Sequence, residues 1–140
     1  DCIPRMINGA KAEPETIIKT SRWLKKGSFH EYDPTRKMFN RLAQIFLKIL
    51  FLSDLTDFTL PVQTMPTELY KSIDFRELNF PFLIELVVAP LRIGAKFREI
   101  PVECMSRTEG KSKNSFRQTA LYLKTALRVR FSSKKKLIKR

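Results

Sequence analysis

Histidine, cysteine and glycine are scarce in this 140-residue chain. It has one histidine, His30, and two cysteines, Cys2 and Cys104, neither of which has a CxxC partner. A structural zinc site needs four such ligands close together, so we predict no metal site within the chain. Cysteine usage indicates a reduced compartment and leaves a single Cys2–Cys104 disulfide open. The four glycines form no repeat or low-complexity tract, which favours one globular domain.

Long apolar runs are also missing. The longest, Leu42 to Leu52, is about half the ~20 residues of a membrane-spanning helix, and Gln44 and Lys48 interrupt it. No segment is therefore predicted to cross a bilayer. The first ten residues lack a signal-peptide pattern. The chain also begins without Met, in an apparent helix entry, so we expect a fragment whose front is missing.

Acidic residues are almost absent from one end of the chain. Residues 107–140 hold twelve basic residues and one acid, Glu109, which gives +11 of the total net charge of +13. Residues 1–106 are therefore nearly neutral. Such a concentrated positive field favours an anionic partner: nucleic acid, phospholipid headgroups or a diphosphate.

The hydrophobic pattern predicts helices that alternate with strands, which indicates an α/β layered fold. The predicted helices cover residues 4–12, 35–52, 67–73, a segment that starts at Pro81 and is capped by Gly94, and 115–131. The predicted strands cover residues 16–20 and 96–103. Residues 21–34 are predicted as a loop, 54–65 as extended, and 132–140 as a frayed basic tail. So few strands make an incomplete sheet with flanking helices.

A polar loop between a strand and a helix is the first candidate site. It contains Arg107, Gly110, Ser112 and Lys113. Gly110 permits a tight turn, and the hydroxyl, the two cations and the N–H groups of the next helix can converge on one anion such as a diphosphate. Spacing alone leaves both an anion site and a solvated basic loop open.

Four charged residues elsewhere are further candidates. Arg22 closes a strand and Arg36 opens a helix, so both could face the mouth of the sheet, where ligands of open α/β folds bind. Asp54 follows an apolar helix and could act as a general base. Glu85 lies in an apolar run, where burial would raise its pKa as a base requires. For each, an ordinary surface or turn role is the alternative.

Several segments, in this order, resemble the C-terminal half of family 2 glycosyltransferases of the dolichol-phosphate mannosyltransferase type. The resemblance covers roughly residues 1–131. The segments that carry it are Ile17 to Gly27, Thr35-Arg36-Lys37, Ser53-Asp54-Leu55-Thr56, Phe82 to Glu85, Glu99-Ile100-Pro101-Val102, and Arg107-x-x-Gly110-x-Ser112-Lys113. The resemblance implies the C-terminal, acceptor-side part of a GT-A fold over residues 1–131, followed by the basic tail 132–140. It implies inverting transfer from a nucleotide sugar to a polyprenyl-phosphate or surface-polysaccharide acceptor.

The resemblance also implies roles for the candidate residues. Those that would hold the donor diphosphate or the acceptor phosphate are Arg107, Gly110, Ser112 and Lys113. Arg22, Arg36 and Asn40 would face the acceptor, with Asn40 where the family usually has Ser, and Asp54 would lie at the reacting centre. The nucleotide-binding strand and the Asp-x-Asp ligands of a divalent Mg or Mn ion would precede Asp1, so we expect the chain alone to be inactive. Asp57-Phe58-Thr59-Leu60 replaces the family's usual Ser-Gly-Phe-Arg.

Two helices and the tail suggest where such an enzyme would act. Helices 35–52 and 115–131 are amphipathic and basic, and each Lys or Arg near an anionic leaflet contributes about 1 kcal/mol. We therefore expect a cytoplasmic protein, peripheral at the inner face of the membrane. The alternative is a basic module that binds nucleic acid or ribosomes, with Phe116, Tyr122 and Phe131 for stacking. Phe116 lies on an apolar helix face, which favours the enzyme and no nucleic-acid partner.

Overall fold

The computed structural model describes residues 2–25, 29–30, 33–105 and 116–139, in which helices pack around a small mixed sheet. In chain order the elements are α1 (Ile3–Ala12), β1 (Thr16–Ser21), β2 (Phe29–His30), α2 (Pro34–Phe51), β3 (Gln63–Thr64), α3 (Thr67–Ser72), α4 (Phe80–Ile93), β4 (Lys96–Pro101), β5 (Cys104–Met105), α5 (Phe116–Phe131) and a 3₁₀ turn (Lys134–Lys136). The predicted α/β class is confirmed, and so are the predicted helices, to within one residue at the ends that were predicted.

β1 is the central strand of a three-stranded sheet. It pairs in parallel with β4 on one side and antiparallel with β3 on the other. A separate two-stranded parallel sheet joins β2, inside the segment predicted as a loop, to β5, which lies just beyond the predicted strand 96–103. Because β1 and β4 are parallel, their carboxyl ends meet at one edge of the sheet, where ligands of open α/β folds bind.

Both faces of the sheet are covered. Ile18 and Ile100 pack with Met6 of α1 on one face. On the other face, Phe97 packs against a larger core built from α2, α4, α5 and the segment 55–58. β1 is buried along almost its whole length because it lies between these two layers.

α4 is apolar and carries a proline near its end. Pro90 has no N–H group, so the carbonyl of Leu86 loses its usual partner inside the helix. The side-chain amide of Gln63 in β3 donates to that carbonyl at 3.1 Å and ties α4 to the sheet. Gly94 then ends α4 in the left-handed region, at φ 100°, as the sequence predicts.

The basic tail is docked, so the prediction of a frayed tail is wrong for residues 132–139. Leu137 is buried in the larger core, and Ile138 forms an antiparallel bridge with Ile73. The Asp74 N–H donates to the Leu137 carbonyl at 2.9 Å, and the Lys139 N–H donates to the Ser72 carbonyl at 2.8 Å. The buried leucine, the bridge and the two backbone hydrogen bonds together hold this segment in place. Within the described ranges, no helix is both long enough and apolar enough to span a membrane.

Candidate functional site

A buried cluster of charged side chains lies at the carboxyl end of β1. Its four charged members are Lys19, Arg22, Asp57 and Glu99. Lys19 of β1 and Glu99 of β4 are direct partners in the parallel register. Lys19 and Asp57 are fully buried, and Arg22 is 7% exposed. Buried charges are costly unless they are paired, so this cluster needs its mutual contacts.

Arg22 and Asp57 form a two-pronged ion pair. The Arg22 Nε donates to Asp57 Oδ2 at 2.7 Å, and its Nη2 donates to Oδ1 at 2.9 Å. The Arg22 backbone N–H adds a third bond at 3.2 Å. Burial alone would raise the pKa of Asp57, but the hydrogen bonds and the charge of Arg22 outweigh it and hold that pKa below its usual value. Asp57 is therefore an ionised carboxylate that fixes Arg22.

Glu99 and Lys19 anchor the loop of residues 55–60 to strands β4 and β1. Glu99 accepts from the Thr56 N–H at 2.8 Å, from its hydroxyl at 2.9 Å and from the Asp57 N–H at 3.0 Å. Lys19 Nζ donates to the Leu60 carbonyl. Burial raises the pKa of Glu99, although the hydrogen bonds from Thr56 and Asp57 and the charge of Lys19 oppose this shift. Burial lowers the pKa of Lys19 to about 8, although the charges of Asp57 and Glu99 oppose it. This loop is therefore clamped at both ends by charged groups.

The inner face of α2 closes the cluster from the side. Gln44 accepts from the Phe58 N–H at 2.7 Å and donates to the Thr59 hydroxyl at 2.9 Å. Asn40 accepts from the indole N–H of Trp23 at 3.2 Å and also donates to Thr59 at 3.2 Å. The predicted acceptor-facing residues Arg22 and Asn40 thus lie in one network, joined through Thr59, to which Arg22 donates at 2.8 Å.

Asp54, the predicted catalytic residue, lies outside this network. Its side chain is exposed. Among the described residues it forms a long ion pair with Lys48, whose Nζ lies 3.8 Å from Asp54 Oδ1. Asp57, three residues later, occupies the buried position instead. The catalytic role of Asp54 stays a prediction.

Glu85 is buried, as predicted, but in a different cluster. It accepts from the backbone N–H groups of Arg76 at 3.0 Å and Glu77 at 2.8 Å. Its second oxygen accepts from Arg128 of α5 at 2.6 Å. Glu85 thus joins α4 to α5 and to the loop before α4, which is a structural arrangement. Its catalytic role also stays a prediction.

The predicted phosphate loop lies outside the described residues. This applies to Arg107, Gly110, Ser112 and Lys113, and likewise to the side chains of His30 and Arg36. A cavity of about 570 Å³ opens at the carboxyl end of β4, with two cations, Arg5 and Lys25, in its wall. In the described part of the chain, no group of three His, Cys, Asp or Glu residues could hold a metal ion.

Sequence reasoning missed Lys19, Gln44 and Glu99 as members of the site. One signal was available: a lysine inside the β-branched run Thr16 to Thr20 must be buried if both faces of that strand are covered. Asp57 was noticed only as a departure from the family pattern.

Comparison with known proteins shows a distant similarity to a glycosyltransferase. No family model matches the chain. Over 116 residues it is 22% identical to an undecaprenyl-phosphate mannosyltransferase of Micrococcus luteus, an alignment that covers 81% of this chain and 47% of that protein. The chain thus spans about half the length of this curated relative. The α/β architecture, with its small mixed sheet, is compatible with part of a GT-A-like fold. The nucleic-acid alternative gains no support, and at this level of similarity the comparison supports a glycosyltransferase in the broad sense.

Proposed function

We propose that this chain forms the acceptor-side part of a GT-A glycosyltransferase of family 2. It would transfer a sugar from a nucleotide sugar to a polyprenyl phosphate, and the mannosyl donor and undecaprenyl acceptor in the relative's name are the first candidates. The observation that carries the proposal is the Arg22–Asp57 cluster. It lies at the joined carboxyl ends of β1 and β4. Lys19, Arg22 and Glu99 belong to segments that carry the family resemblance, whereas Asp57 stands where this chain departs from it.

The cluster would hold the loop 55–60 in one conformation next to the acceptor. Asp57, Glu99 and Lys19 fix both ends of the loop 55–60, so its remaining backbone groups and the Thr56 and Thr59 hydroxyls keep constant positions. A preorganised polar surface is more useful to catalysis than a mobile one, because it needs no reorganisation during the reaction.

A phosphate acceptor would need cations in addition to the described cluster, in which Lys19 and Arg22 are balanced by Asp57 and Glu99. A phosphate monoester carries about two negative charges at pH 7, so its oxygen is already a nucleophile. That oxygen would form a bond to the anomeric carbon of the sugar while the bond from that carbon to the diphosphate breaks and the nucleoside diphosphate leaves. Such a reaction needs positioned cations more than a general base. Arg107 and Lys113 are the proposed cations, as the resemblance implies.

Only the family resemblance supports a divalent metal ion in the proposed enzyme. The described residues do not offer a ligand set for it, so its ligands would come from outside them. No step above depends on the metal ion.

A chimaera tests the proposed function. This chain would replace the segment that it matches in the Micrococcus luteus enzyme, and the product would be incubated with radiolabelled nucleotide-activated mannose and undecaprenyl phosphate. We expect a labelled lipid product, and we expect Arg107→Ala to reduce the rate by about 100-fold, as for loss of one charge-stabilising group. Lys71→Ala, a change of an exposed cation in α3, away from the candidate site, is the control. A folded chimaera that makes no labelled lipid would refute the proposal.

A further inference from the structure

Hydrogen-bond donors surround the Asp57 carboxylate. Oδ2 accepts from the backbone N–H and the Nε of Arg22, at 3.2 and 2.7 Å. Oδ1 accepts from Arg22 Nη2 at 2.9 Å and from the Leu60 N–H at 3.1 Å. It also accepts from the N–H and the hydroxyl of Thr59, at 3.2 and 3.3 Å, and from Gln44 Nε2 at 3.5 Å. We call these donors the Asp57 cradle. They come from the end of β1, from the loop 55–60 and from α2, so three parts of the fold enclose one carboxylate.

The cradle is larger than a turn requires. An aspartate in a turn commonly accepts from N–H groups two and three residues later, as Asp57 does from Thr59 and Leu60. Arg22 adds the two parallel bonds with which a guanidinium recognises a carboxylate or a phosphate. Proteins build oxyanion-binding sites from such a guanidinium and convergent backbone N–H groups. The cradle therefore has the composition of an oxyanion-binding site, and its occupant is a side chain of the same protein.

Other contacts hold the donors in place independently of the Asp57 side chain. The Thr59 hydroxyl also accepts from Gln44 at 2.9 Å, and Gln44 Oε1 accepts from the Phe58 N–H at 2.7 Å. The backbone N–H of Asp57 donates to Glu99 at 3.0 Å and would still do so with alanine at position 57. The cradle should therefore keep its shape when the carboxylate is removed.

Removal of the Asp57 carboxylate would also leave an unbalanced positive charge. The cluster holds two cations, Lys19 and Arg22, against two carboxylates, Asp57 and Glu99. Without Asp57, one net positive charge would remain in a largely buried site, where an unpaired charge is costly and attracts an anion. The edge of the site lies within reach of solvent, because Arg22 is 7% exposed and Thr59 is half-buried. A small anion could therefore enter from that edge.

We propose that Asp57 is the built-in ligand of an oxyanion-binding site and that it excludes free anions from Arg22. The ligand class of the site is a small carboxylate, because the guanidinium and the backbone donors match two oxygens in one plane. A side chain that is already in position loses little translational freedom on binding, so a free anion competes poorly with it. Asp57 is therefore a specificity-determining residue, since it decides whether Arg22 can contact an anionic ligand.

The proposal changes the role expected of Arg22. The family resemblance implies that Arg22 faces the acceptor phosphate, but its Nε and Nη2 donate to Asp57. If the proposed function holds, cations outside the cluster would bind the acceptor phosphate, and Arg22 would be a positioning residue for the loop 55–60. The exclusion of anions by Asp57 does not itself depend on sugar transfer.

Chemical rescue with formate tests the proposal. Asp57→Ala removes only the carboxylate group and so leaves a space of the size of formate. Urea denaturation of the 140-residue chain near neutral pH would compare sodium formate with sodium chloride at the same concentration. In about 100 mM formate we expect an about tenfold higher folding equilibrium constant for Asp57→Ala, as for a ligand with a Kd of about 10 mM. If this variant is unfolded without urea, a titration with trimethylamine N-oxide measures the same constant.

Two controls separate the site from general effects of salt. The unaltered chain has a filled cradle, and Arg22→Met/Asp57→Ala lacks the guanidinium. In both, the folding constant should differ by less than about twofold between the two salts, because neither offers an open anion site. Anion size gives a second comparison. Asp57→Gly also removes Cβ, so acetate, whose methyl group takes the place of Cβ, should rescue Asp57→Gly better than Asp57→Ala.

Three results would overturn the proposal. They are equal folding constants of Asp57→Ala in formate and chloride, an equal gain in the unaltered chain, and an equal gain in Arg22→Met/Asp57→Ala. The first would show that the cradle binds no free carboxylate, and the other two that formate acts elsewhere. None of these measurements requires sugar transfer, so the proposal can fail while the proposed function stands.

Discussion

Lys19 is an amine held inside the sheet, between the Asp57 and Glu99 carboxylates. It is fully buried, and its Nζ is bonded to the Leu60 carbonyl. Burial lowers its pKa from 10.5 to about 8. Because this pKa still lies above 7, Lys19 is mostly protonated in the folded protein near neutral pH, and its charged amine anchors the loop 55–60.

This burial predicts an unusual alkaline dependence of stability. Between pH 8 and 10.5 the unfolded chain binds more protons at Lys19 than the folded chain, so this residue's contribution to the free energy of unfolding rises with pH. Between pH 8 and pH 10 the difference in free energy of unfolding between the unaltered chain and Lys19→Met should change by about 2 kcal/mol in favour of the unaltered chain. Urea denaturation at pH 8 and at pH 10 measures it. Lys71→Met, at an exposed lysine, is the control, and parallel pH curves for Lys19→Met would contradict the prediction.

The Arg22–Asp57 pair predicts a large loss of stability when one partner is removed. Asp57→Asn should lower the free energy of unfolding by about 3–5 kcal/mol, because Arg22 stays buried without its counter-charge. The double variant Arg22→Met/Asp57→Asn should recover part of that loss. Asp54→Asn, three residues earlier and exposed, should change stability by no more than about 0.5 kcal/mol. A loss of under about 1 kcal/mol for Asp57→Asn would refute this account.

The contrast between Asp54 and Asp57 shows what could be predicted at the residue scale. The sequence located the loop that carries the site, but in an irregular loop no periodicity tells which carboxylate points inward. Asp57 is inside because Arg22 and two backbone N–H groups of its own loop, those of Thr59 and Leu60, meet there. Those contacts depend on the tertiary fold. Glu99 was missed for the same reason, since its partners come from 43 and 42 residues away.

Among the elements, helices were predicted well and short strands poorly. Each helix has an apolar period of its own, and prolines or Gly94 mark the ends of several. The two-residue strands β2, β3 and β5 have no such local pattern, because they exist only through their partners. The prediction of a frayed tail was wrong because lysine dominates the composition of the tail, whereas burial of Leu137 and backbone bonds to Ser72 and Asp74 fix its position.

The docked tail predicts that Leu137 contributes to global stability. Leu137→Ala should lower the free energy of unfolding by about 2–5 kcal/mol, the usual cost of truncating a buried leucine. Lys136→Ala, at an exposed neighbour, should have little effect. Chemical denaturation measures both variants, and hydrogen exchange at Asp74 and Lys139 would report detachment of the tail. Equal stabilities for the two variants would indicate a frayed tail after all.

For the whole molecule, the sequence predicted the α/β class and the amphipathic nature of α2, but not which side of α2 is buried. A periodic pattern defines two faces and leaves open where the core lies. Here the core takes the Gln44 and Leu47 side, and the more apolar side is left outward.

The net charge of +13 predicts stabilisation by moderate salt. Like charges repel more strongly in the compact state, and salt screens that repulsion, so the melting temperature should rise between about 20 and 200 mM NaCl. Buried pairs such as Arg22–Asp57 are screened much less and should not reverse the trend. Thermal unfolding followed by circular dichroism measures the effect, and a melting temperature that falls over this range would contradict it.

Substitutions at Pro90 and at Gln63 should be coupled during the evolution of this sequence. The proline leaves the Leu86 carbonyl without a helical partner, and the amide of a distant strand supplies one. Gln63→Leu should therefore cost about 1–3 kcal/mol in the present sequence and under about 0.5 kcal/mol beside Pro90→Ala, where the helix regains its own bond. A double-mutant cycle measures this coupling. Among descendants of such a chain, the glutamine becomes free to vary only in lineages that have already lost the proline, so the order of the two changes is constrained.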